Sequence, residues 1–102
     1  MARLVDWIKD LAADEAVEAV VLGADEGFRT QHGQPQGVVL SWEEAVPHLQ
    51  YEFHEGLEHG GCNAFTAWTK SWVIAVARHG DSLAPFRLPR VPTEHAPRMP
   101  GW

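Results

Sequence analysis

A single cysteine in 102 residues, Cys62, excludes an internal disulfide framework and suits a reducing, cytoplasmic setting. No apolar run approaches the roughly 18 residues that a membrane helix needs, so no membrane association is expected. The opening stretch, Met1-Ala2-Arg3-Leu4-Val5-Asp6-Trp7, holds charges and no cleavage site, which argues against a secretory leader. None of the nine glycines falls in a GxGxxG or P-loop pattern, and no nucleotide cradle is indicated. Repeats and heptads are absent. Positive charge is scarce as well: residues 1–62 set Arg3, Lys9 and Arg29 against twelve acids, a balance of −9. Residues 63–102 stand at +3, and the whole chain at −6. The basic footprint of an ordinary DNA-binding protein is missing, and the acidic half would draw a basic partner. The plainer reading is that this acidity keeps a small protein soluble.

What is present suits one domain. Hydrophobic residues make up 45% of the chain, enough for a core of its own. Leu4, Val5, Ile8, Leu11 and Ala12 recur on one helical face, which predicts an amphipathic helix over about 3–14. Asp6, Asp10 and Asp14 follow at four-residue intervals on its other side. Val17–Leu22 reads as a β-branched strand closed by Gly23. The next fifteen residues admit either a strand at Phe28–His32 or a mobile loop. Ser41-Trp42-Glu43-Glu44 is a capping box, opening a short helix over about 42–49 that Pro47 limits. Cys62–Thr69 and Trp72–Arg78 predict a hairpin, with Trp68 and Trp72 positioned to pack across it. Lys70-Ser71 is a poor primed turn, which leaves room for a longer loop. Leu83–Leu88 reads as a third strand, confined to a sheet edge by Pro85 and Pro89. Together these predict an α+β fold: an antiparallel sheet with a C-terminal meander, packed with an N-terminal amphipathic helix and a short second helix. The domain is expected over residues 1–88, with a proline-rich extended tail over 89–102.

Reactive groups concentrate between His48 and Cys62. His54, His59 and Cys62 are zinc-competent ligands, with Glu55 or Glu58 as a base, but their spacing matches no standard zinc site. The alternative is a glycine-tipped polar loop whose histidines titrate without coordinating anything. A buried Cys62 at a strand start is the plain reading of the thiol. His79, Asp81 and Ser82 supply triad residue types, but neighbours on one turn cannot take triad geometry. Arg87-Leu-Pro-Arg-Val-Pro92 contains a Pro-x-x-Pro segment, Pro89 to Pro92, with arginines beside it, read either as a polyproline ligand or as an arm against its own domain.

Val39-Leu40-Ser41-Trp42-Glu43-Glu44-Ala45, Tyr51-Glu52-Phe53, Gly60-Gly61-Cys62, Ala67-Trp68-Thr69, Val73-Ile74 and Leu88-Pro89-Arg90-Val91-Pro92 form a loose pattern. Over about residues 38–92 it resembles small uncharacterised proteins of bacteriophages and actinobacteria. The resemblance implies no catalytic residue and tilts the reading towards a mobile-element accessory protein.

The expectation is therefore a small acidic accessory protein that binds another protein, in its sharpest form a phage-type inhibitor or DNA mimic. Asp6, Asp10, Asp14, Trp68 and Trp72 are the candidate contact residues, with no cofactor and no direct contact with nucleic acid. The alternative is a metal-binding, hydrolytic protein holding zinc through His54, His59 and Cys62. A homo-oligomer built on the aromatic hairpin and proline arm is the third possibility.

Overall fold

The computed structural model describes residues 2–26, 35–54, 62–80 and 82–93, leaving aside the side chains of residues 24–26 and 79. Helix α1 (Leu4–Ala12) precedes strands β1 (Val17–Glu26) and β2 (Val39–Leu40). A one-turn helix α2 (Trp42–Ala45) runs into a 3-10 turn at Val46–His48, and β3 (Cys62–Thr69), β4 (Trp72–His79) and β5 (Ser82–Pro89) complete the fold. The strands form one five-stranded antiparallel sheet in the order β2-β1-β3-β4-β5. The predicted α+β architecture is thus observed, with β1 inserted beside the C-terminal meander. No helix among the described residues is long and apolar enough to cross a membrane.

Local chemistry explains the helices. The Ser41 hydroxyl accepts from the Glu44 amide at 3.1 Å, and the Glu44 carboxylate accepts from the Ser41 amide at 2.9 Å, which closes the capping box. That pairing holds the Glu44 carboxyl below the usual carboxylate range, through the Ser41 backbone amide first and its hydroxyl second. Pro47 lies inside the 3-10 turn, so α2 ends after one turn. α1 has no side-chain cap; instead the Val5 amide donates to the Leu49 carbonyl at 3.1 Å. It stops at Ala12, two residues short of the expected end. Ala13 takes a φ of +56°, a conformation costly for any side chain bearing a Cβ.

Pairing register decides which side chains meet. The row Leu40–Val20–Ala67–Ile74–Arg87 crosses all five strands, and its first four members are buried. Leu4, Ile8, Ala45, Leu49 and Phe53 close over it from the helical side. Phe53 is only 2% exposed: Ala2 brackets it with reciprocal backbone hydrogen bonds of 2.8 and 2.9 Å, and Trp7 meets its ring edge-to-face at 5.1 Å. β1 does not end at Gly23, as its sequence suggests, but continues to Glu26. The Asn63 side-chain amide donates to the Gly23 carbonyl at 3.1 Å, and the register shifts between Leu22 and Asp25. A Cβ at Gly23 would sit 3.1 Å from that of Ala64, so the glycine permits close strand approach and does not stop the strand. At the edge, β5 runs to Pro89, one residue past the expected domain end, and its prolines do fall on an outer strand. The region proposed for a strand at Phe28–His32 lies outside the described residues.

Candidate functional site

The hairpin between β3 and β4 is joined by Lys70 and Ser71 alone, so the loop has two residues and is not longer. Neither residue has the positive φ of a primed turn. Side chains from elsewhere hold it. Glu15 accepts from the Thr69 hydroxyl at 2.6 Å, from the Ser71 hydroxyl at 2.6 Å and from the Ser71 amide at 3.0 Å. The Thr69 hydroxyl in turn accepts from the Trp72 amide at 3.0 Å. Arg90 donates to the Thr69 carbonyl at 2.8 Å and pairs with Glu18 at 2.5 Å, while its amide donates to the Ser71 carbonyl at 2.9 Å. Arg87 lies 3.9 Å over the Trp72 ring and donates to the Leu11 carbonyl at 2.7 Å. Both arginines of the Pro-x-x-Pro segment thus face their own domain.

The Glu15 carboxyl is held below the usual carboxylate range, chiefly by the Ser71 hydroxyl, then by the Thr69 hydroxyl and the Ser71 amide. A carboxyl with a lowered folded value stabilises the fold above its unfolded value of about 4.5. That contribution disappears as pH falls from there through the lowered folded value. Urea midpoints measured from pH 7 down to pH 3 should therefore decline less steeply for Glu15→Gln than for the unaltered chain. Parallel curves would remove Glu15 from this role.

The acidic half divides by task. Asp6, Asp10 and Asp14 are all exposed, the first two on α1 and the third in the turn beyond it. Asp10, Asp14 and Glu15 also border a groove of about 550 Å³ between the end of α1 and Trp42. Glu15, Glu18 and Glu44 instead hold local structure, and Glu52 lies 3.9 Å from Arg3. The proposed contact set is not one surface. Because Thr69 stands opposite Trp72 across the two-residue loop, Trp68 and Trp72 lie on opposite faces and do not pack together. Trp72 belongs to the helix-covered side and Trp68 to the other.

Of the zinc-competent residues, His54 is exposed and Cys62 is 1% exposed, buried at the start of β3. His59, Glu55 and Glu58 lie outside the described residues. Among the described residues no group of three or more His, Cys, Asp and Glu side chains stands ready to hold a metal ion.

The surface that the sequence reading missed is the sheet face opposite the helices. One row crosses it as Val39–Val21–Thr66–Ala75–Phe86, and a second as Ala19–Trp68–Val73–Leu88. Neither row contains a charge. Val39 is 70% exposed and Leu88 40%, with Val21, Trp68, Val73 and Phe86 partly exposed between them. A one-sided antiparallel sheet normally alternates apolar and polar residues. The signal was present in Val73-Ile74-Ala75-Val76-Ala77, an unbroken apolar run of the kind found where both faces are covered.

Fold and surface together define an α+β protein with a helix-covered sheet and an apolar outer face. Beyond that class, no protein-family model matches the chain, and neither a curated protein nor a solved structure does.

Proposed function

We propose that this protein is a non-enzymatic binding module whose contact surface is the sheet face carrying Trp68, Val73 and Phe86. The observation that supports it is that two neighbouring rows of that face cross strands β1, β3, β4 and β5 without a charged side chain. Apolar patches larger than a few hundred Å² are uncommon on monomers and mark contact sites. Trp68 on the central strand and Phe86 on the edge strand supply the large, stiff area that interfaces favour. The accessory, protein-binding role expected from composition is kept, and the surface that performs it changes.

A second reading has its own support. Asp6, Asp10 and Asp14 stand exposed, and Asp10 and Asp14 border a groove together with Glu15, which suits docking of a basic protein segment. It would use the opposite layer of the molecule from Trp68.

Hydroxyl-radical footprinting separates the two. Oxidation of Trp68 and Phe86 should be several-fold slower in native host cells than in dilute purified protein, with Trp42 little changed. Equal rates at Trp68 in both settings would overturn the sheet-face reading. Protection confined to Trp42 and the α1 groove would favour the acidic one.

A further inference from the structure

Resting on the sheet-face reading, we infer that the occupant of this face is a second copy of the chain, packed sheet against sheet across a two-fold axis. Three features of the molecule lead there. The first is area. With strands about 4.8 Å apart and about 3.3 Å per residue, the two apolar rows and their flanks project over about 450 Å². Side-chain relief and a rim raise this towards the roughly 600–800 Å² that each partner contributes to a small specific interface.

The second feature is the placement of charge. The chain carries −6, yet its three row-forming aspartates lie in the helical layer on the far side of the sheet. Two sheets packed about 10 Å apart, each backed by a helix layer about 10 Å further out, put the acidic helices roughly 30 Å from one another. That exceeds the Debye length of about 8 Å at physiological salt, so the aspartates of two associated copies repel little, and the two rows themselves bring no charge into the contact. A basic partner, by contrast, finds no acid within the two rows to pair with.

The third feature is the state of the sheet edges. β2 has two residues, and β5 carries Pro85 and Pro89, so growth by strand addition is obstructed at both ends of the sheet. Face-to-face packing is the route left open, and two twisted antiparallel sheets pack this way at about −30°. Thr66 sits in the middle strand of the longer row, close to where the two-fold axis would pass. Its counterpart in the other copy would then be a near neighbour.

Sedimentation of the purified full chain from about 1 to 100 µM tests this. The mass should rise from one chain to two over that range, with Trp68 and Phe86 becoming protected in step. Thr66→Glu and Thr66→Lys should each stay monomeric at 100 µM with an unchanged far-ultraviolet circular dichroism spectrum. An equimolar mixture of the two should regain the two-chain mass, because the opposed charges then meet. A wild-type monomer at 100 µM overturns the inference, as does a dimer that persists in Thr66→Glu or a mixture that stays monomeric. If the purified chain stays monomeric while Trp68 is protected in cells, the binding module stands and its partner is another protein. Loss of protection in both settings defeats both readings, and so does protection at every dilution in a monomer, which would mean the chain covers its own face.

Discussion

Phe53→Ala should lower the free energy of unfolding by about 3–5 kcal/mol, the cost of removing a buried aromatic ring and leaving a cavity. The ring is 2% exposed, and it touches Trp7 from α1 while Ala2 pins its backbone. Its loss therefore loosens the helix and the chain end together. A domain of this length has roughly 5–15 kcal/mol to lose, so the variant should be close to unfolding at 37 °C. Urea denaturation followed by tryptophan fluorescence measures it directly. Phe53→Leu keeps most of the apolar volume and should cost only about 1–2 kcal/mol. Equal losses for the two would mean that the backbone bridge, and not the ring, carries the joint.

The second large effect is expected at Asn63, which is 1% exposed and fully engaged. Its Oδ1 accepts from the Tyr51 hydroxyl at 2.7 Å, its backbone amide donates to the same hydroxyl at 2.9 Å, and its Nδ2 donates to the Gly23 carbonyl at 3.1 Å. Asn63→Ala removes the oxygen that accepts from the Tyr51 hydroxyl and the amide that donates to the Gly23 carbonyl, at a cost of about 2–3 kcal/mol. Tyr51→Phe should cost less, about 1 kcal/mol or slightly more. Asn63→Asp discriminates further, because it turns an anionic oxygen towards the Gly23 carbonyl. The folded carboxyl would titrate above its unfolded value, so the penalty should grow as pH rises through that range and shrink below it. Urea midpoints of Asn63→Asp and wild type, compared at pH 4 and pH 7, read the difference. A penalty independent of pH would show that the amide does not face that carbonyl.

Short-range chemistry was readable from the residues. Ser41 and Glu44 declare a capping box three positions apart, and Pro85 with Pro89 declares an edge strand. What resisted reading was set by contacts between residues far apart in the chain. Nothing near Lys70-Ser71 reveals that Glu15, more than fifty residues earlier, will hold the turn at two residues. The relative placement of the two candidate tryptophans depended on that one uncertainty. A three-residue loop would have placed Trp68 opposite Trp72 on a single face, whereas two residues put them on different faces. The aspartate row was visible and is exposed as read. The outer face was encoded in the unbroken apolar run of β4, which a reading tuned to alternation passes over. The histidine cluster was legible as composition, and its central member, His59, lies outside the described residues.

The sheet is not joined equally along its width. Among the described residues β3 pairs with β4 over Thr66–Trp68 against Val73–Ala75, while β1 with β3 and β4 with β5 are paired nearly end to end. α1 packs on β3, β4 and β5 together, and Arg87 of β5 reaches back to the Leu11 carbonyl. The helix consequently works as a splint across the least-paired join, tying the two ribbons together on the side away from Trp68.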